Sequence, residues 1–109
     1  MAFNEALAQR IRRAVGRKKG FTEKKMFGGI GFLLNGNMCV GVWKDSLIAR
    51  IGEDQAGEAV LEQNVRPMDI TGRPMKGWIM VDPDGLETDE QLGEWIDRAL
   101  EFVETLPAK

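Results

Sequence analysis

The sequence predicts an α+β domain: a mainly antiparallel sheet, made of a three-stranded meander plus a later strand, with N-terminal, short middle and C-terminal helices. Three observations lead there. Apolar residues recur at helical spacing near both ends of the chain. Between them lie short runs that alternate with period two, and two of these are joined by Asn35-Gly36, a strong two-residue hairpin signal. No repeat, low-complexity segment or internal linker interrupts the 109 residues, so residues 1–109 read as one domain.

The first helix is expected to be capped by Asn4, with Phe3 stapled onto Ala8. Phe3, Leu7, Ile11 and Ala14 or Val15 would form its apolar stripe, and Gly16 or Gly20 its end. The meander follows as Ile30–Leu34, Met38–Trp43 and Ser46–Ile51, turning at Asn35-Gly36 and at Lys44-Asp45. Strict alternation puts Met38, Val40 and Val42 on one face and Cys39, Gly41 and Trp43 on the other. It groups Leu47, Ala49 and Ile51 against Ile48 and Arg50. Glycines 28, 29, 31 and 41 point to bulges or to close approach of another element. Gly52-Glu53-Asp54 opens a short helix with a weak apolar face. Asn64 to Pro74, with two prolines, reads as a loop, and Met75 or Lys76 to Val81 as the fourth strand. Asp82-Pro83-Asp84-Gly85 is a turn. Thr88-Asp89-Glu90-Gln91 has capping-box spacing ahead of an amphipathic stripe of Leu92, Trp95, Ile96, Ala99, Leu100, Val103 and Leu106, with Pro107 beyond its end.

Composition narrows the chemistry. The chain has no histidine and no tyrosine, which removes the commonest general base and, with one cysteine, any Cys/His zinc site within one chain. Cys39 sits in an apolar strand pattern and reads as a small buried hydrophobe, in keeping with a reducing cytoplasm. The start of the chain shows no basic region followed by an apolar one, and no apolar stretch nears the roughly 18 residues of a membrane span. Charge is lopsided. Residues 1–25 hold eight basic against two acidic residues, a net of +6, while the remainder holds seven against fifteen, a net of −8. That implies a basic pole and an acidic one.

Each constellation has a structural reading beside a functional one. Gly28-Gly29-Ile30-Gly31 invites a phosphate cradle, but a hairpin follows it where a helix N-terminus would be needed, and neither nucleotide-binding spacing is present. Its glycines read as structural. The acids Asp82, Asp84, Glu87, Asp89 and Glu90 lack calcium-loop spacing and suit a solvated turn before a helix. Ser46 has no base to activate it, and Trp43, Trp78 and Trp95 fit core or interface packing better than base stacking. No catalytic residue, metal ligand or cofactor motif emerges. The basic segment, Arg10, Arg12, Arg13, Arg17, Lys18, Lys19, Lys24 and Lys25, suits three roles: following a phosphate backbone, meeting an acidic partner protein, or keeping a helix solvated. A separate set, Arg50, Arg73 and Lys76, would make a small-anion or enzymatic site if it converged with Lys25. Glycine-rich edge strands need covering, which admits a homodimer.

Lys25-Met26-Phe27-Gly28-Gly29-Ile30-Gly31-Phe32 followed by Asn35-Gly36-Asn37-Met38, and later Gly72-Arg73-Pro74-Met75, resembles the TfoX N-terminal domain family. The spacing to Leu47–Ile51, the Trp78–Val81 strand and the closing helix around Leu92 and Trp95 carry the likeness over roughly residues 5–105. The resemblance implies an α+β fold and a cytoplasmic, bacterial, non-enzymatic role in transcriptional control. Members regulate natural competence together with the cyclic-AMP receptor protein, and that implies a transcription-factor partner here. Full-length regulators of this type carry a second, C-terminal domain, so a chain closing at Lys109 reads as the N-terminal domain standing alone.

Overall fold

The computed structural model describes residues 4–16, 19–26, 28–68 and 76–108. They form helices α1 (Glu5–Val15), α2 (Glu53–Ala59) and α3 (Asp89–Val103). They also form strands β1 (Phe21–Met26), β2 (Gly29–Leu34), β3 (Asn37–Trp43), β4 (Ser46–Arg50), β5 (Val65–Pro67) and β6 (Trp78–Val81). The strands make one sheet in the order β1-β2-β3-β4-β6-β5, antiparallel throughout. The α+β class holds, and the sheet has two strands beyond the expected four. β1 falls in the stretch read as a basic segment with no strand assigned, and β5 in the stretch read as a loop. Both are edge strands, and their sequences show why they were hidden: β1 is half charged, and β5 is three residues long and ends in Pro67.

Local chemistry sets the helix ends. The Asn4 side-chain oxygen accepts the Leu7 N–H at 3.1 Å, and Leu7, Ala8, Ile11 and Val15 are buried while the alternative Ala14 is exposed. The expected Phe3 staple lies outside the described residues. At α3 the capping box is complete. Gln91 N–H donates to Thr88 Oγ1 at 3.1 Å, and Thr88 N–H to Gln91 Oε1 at 3.0 Å. The stripe Leu92, Trp95, Ile96, Ala99, Leu100 and Val103 is buried. Each large aliphatic side chain buried there contributes roughly 1.5–3 kcal/mol.

The buried residues of all three helices join one cluster with Ile30, Phe32, Val40, Val42, Leu47, Ala49, Ile79 and Val81. The helices therefore share one face of the sheet. The other face carries a smaller cluster, Ile48, Met68 and Met80, flanked by half-buried Met38, Trp43 and Trp78. This corrects the expected alternation along β3. Phe32 pairs with Val40, but Leu33 pairs with Met38, so Cys39 is an inserted residue. The bulge reverses parity: Cys39 joins Val40 and Val42 under the helices, and Met38 joins Trp43 on the far face. Asn37 also comes to the helix side, where it is buried and its Nδ2 donates to the Pro107 carbonyl at 2.8 Å. At the other end of β3, Asn4 N–H donates to the Lys44 carbonyl at 2.6 Å.

Two glycine-dependent features place the meander. Asn35 and Gly36 have φ of 52° and 85°, the doubly left-handed turn whose twist matches a two-residue hairpin. A side chain on Gly29 would meet the Val42 carbonyl, and one on Gly41 would lie 2.8 Å from the Ile30 carbonyl oxygen. These glycines serve close backbone approach between β2 and β3. Gly29→Ala should therefore destabilise the fold by roughly 1–3 kcal/mol, an overpacking cost against backbone that cannot swing aside. Urea denaturation followed by tryptophan fluorescence would measure it, and an unchanged midpoint would contradict the assignment.

Candidate functional site

The basic residues of the N-terminal segment divide into a spent set and a free set. Arg12 projects from α1 toward β1 and grips Glu23 by both carboxylate oxygens, Nε to Oε2 at 2.9 Å and Nη2 to Oε1 at 2.8 Å. Its Nη1 reaches Glu5 at 2.8 Å. Hydrogen bonds from Arg12 hold the Glu23 carboxyl below its ordinary range, and those same bonds raise the Arg12 guanidinium further above its own. Arg10 points the other way. Its Nε donates to Asp89 at 3.1 Å, tying α1 to the first turn of α3. Two arginines of the segment, Arg10 and Arg12, thus serve as ties between elements.

Arg13, Lys19, Lys24 and Lys25 are exposed and have no carboxylate partner among the described residues. Arg17 and Lys18 lie outside the described residues, as does Arg73. The ladder opposes Lys24 to Gly31 and Lys25 to Ile30, so Lys24 faces away from the helices and Lys25 toward them.

Arg50 does not meet Lys25. It stands on β4, three strands from β1 and so about 14 Å across the sheet, and the register turns it to the face opposite Lys25. Its guanidinium lies 5.5 Å from the Trp78 ring centroid and 5.8 Å from that of Phe102. Lys76 is exposed at the mouth of a groove of about 350 Å³ between α2 and the ends of β5 and β6, with Glu53, Ala56, Val60, Pro67 and Trp78 around it. Arg50 does not line that groove.

Other expected features have structural partners. Ser46 begins β4, is buried, and donates to Asp82 Oδ1 at 3.3 Å; Arg66 Nε donates to the same oxygen at 2.9 Å. That knot joins the ends of β4, β5 and β6, and its Arg66 was missed by sequence reasoning because β5 was read as a loop. Among the described residues no cluster of His, Cys, Asp or Glu is placed to hold a metal, and no helix is long and apolar enough to cross a membrane.

A groove of about 540 Å³ lies between α1 and β1. Val15, Phe21 and Phe32 give it an apolar lining, and the Arg12–Glu23 pair bridges it. It exists because α1 packs toward β3 and α3, leaving the β1 margin less covered.

The Arg12–Glu23 tie predicts a pH effect with a definite sign. A carboxyl held low in the folded state adds stability that is complete above its ordinary value of about 4.3 and is lost as pH falls through the lowered one. Glu23→Gln should cost under about 1 kcal/mol at pH 7, because the pair is solvent-accessible. The difference from wild type should be constant above about pH 5 and shrink below about pH 4. Denaturant titrations of both proteins at several pH values check this, and a difference that grows on acidification would refute it.

Among protein families, the model described as the TfoX N-terminal domain matches residues 9–103. No curated protein and no solved structure matches the chain.

Proposed function

The chain belongs to the TfoX N-terminal domain family, and from that premise we propose a non-enzymatic regulatory module that acts in transcriptional control through contact with a partner protein. The observation that carries this reading is the family match over residues 9–103, nearly the whole chain. The site geometry adds support. Arg10 and Arg12, two of the three arginines on α1, are engaged by Asp89, Glu5 and Glu23. That favours a protein partner over direct nucleic-acid binding by the helix. Arg50 stacked on aromatic rings, with Lys76 at a separate groove, gives the small-anion or enzymatic alternative less support.

The partner we propose is a transcription factor of the cyclic-AMP receptor protein kind. Purified protein immobilised on a sensor surface should bind that factor saturably, and deletion of the chain should alter expression from promoters the factor controls. Absence of both effects would overturn the reading. In parallel, anisotropy with labelled duplex DNA should show no tight complex at low salt. A complex that weakens steeply with salt and disappears with Arg13→Glu would instead promote direct nucleic-acid binding.

A further inference from the structure

We propose that the free edge of β1, with the groove beside it, is a strand-addition site for an extended, acidic peptide segment carrying apolar residues at alternate positions. The inference rests on the protein-contact reading above and specifies where contact is made. Among the described residues β1 pairs only with β2, so one side of a six-residue strand has no ladder partner there. An added strand would pair with the backbone on that side, which is how sheet edges bind extended peptides.

The edge is not bare backbone alone. In an antiparallel pair, directly opposed residues share a face. A residue opposite Phe21 or Glu23 would point to the helix side, toward the groove of about 540 Å³ where Phe21 is half-buried and Val15 and Phe32 lie buried beneath. Its neighbours on either side would point away, so apolar side chains are selected at every second position. Charge supplies the other half of the specificity. Lys24 and Lys25 are exposed, and among the described residues neither has a carboxylate partner. Glu23, the one acid of β1, already gives both oxygens to Arg12. The edge therefore presents net positive charge, and acids opposite Lys24 and Lys25 complete it.

The same charges weigh against a second copy as the occupant. A two-fold pairing that keeps both helical layers on one side opposes residues of like face. A register centred on Glu23 sets that carboxylate against its own copy, and one centred on Lys24 does the same with the lysine while setting Lys25 opposite Glu23, whose oxygens Arg12 already holds. Like charges directly opposed destabilise a ladder, and edge lysines are a common guard against self-pairing.

The probe is a capped peptide, Thr-Glu-Glu-Leu-Thr-Val, which in antiparallel register sets its glutamates opposite Lys25 and Lys24 and its leucine opposite Glu23. Nuclear magnetic resonance titration should give saturable binding, with slowed hydrogen exchange at the outward amides of β1. Affinity should fall by about tenfold or more, some 1.4 kcal/mol, in the Lys24→Glu/Lys25→Glu variant and, independently, when the peptide leucine becomes serine. Since both lysines are exposed, the variant should melt with wild type, and the peptide substitution tests the groove in the unaltered protein. No binding at about 1 mM peptide, binding indifferent to both changes, or dimerisation through β1 would overturn the proposal. The two readings fail separately. Equal capture of the transcription factor by wild type and by the double variant leaves the regulatory reading and removes the edge. Peptide binding at β1 with no capture of the factor does the reverse.

Discussion

The sheet is wider than the helical layer that covers it, and most of the molecule follows from that mismatch. α3 packs on β3 and β4, α2 on β5 and β6, and α1 leans on α3 and β3. The margin at β1 is left with less helix above it. The fold holds that margin with an ion pair, Arg12 to Glu23, where a further row of apolar contacts would need a wider helix layer. The margin also presents charge outward, through Lys24 and Lys25, where a flat apolar strand would invite aggregation. Ties of this exposed kind are individually weak. Their value lies in direction: Arg12 links α1 to β1 across the groove between them.

Much of the interior was legible because its signals are local. Asn35-Gly36 fixes a turn by backbone conformation, Thr88 and Gln91 cap each other three residues apart, and the α3 stripe repeats on its own helix. The outer parts were not legible, for a physical reason. β1 and β5 have little apolar surface to bury, so their sequences follow the demands of solvent and of edge protection and lose the alternation that marks a strand. The bulge was hidden differently. Met38, Cys39 and Val40 are all apolar, and a pattern of apolar against polar cannot register which of three apolar residues is the inserted one.

The candidate site shows the same limit. A run of arginines is visible in a sequence, but its availability is not, because the partners that neutralise it come from elsewhere. Glu23 lies on a strand that was not expected, and Asp89 is 79 residues from Arg10. The basic pole inferred from composition is thus partly internal wiring. Among the described residues, what stays free on the strand itself is the short Lys24-Lys25 step, with Arg13 and Lys19 free beside it. It is the less conspicuous part of the charge run, and its side chains lie on opposite faces of one strand. Of the glycines that first suggest a phosphate cradle, Gly29 belongs to the adjoining ladder, where it allows β2 and β3 to approach.

Two hydrogen bonds near the ends of the described chain have a mechanical consequence. Asn4 is held to Lys44 at one end of β3, and Pro107 to Asn37 at the other. Residues 4 and 107 are therefore anchored at opposite ends of a central strand, a separation of about 20 Å along its axis. Tension applied between these anchors runs parallel to the strands. The covalent backbone of β3 carries it, and each end is coupled to that strand by a single hydrogen bond, so the two anchors would release before the ladders beside β3 are loaded.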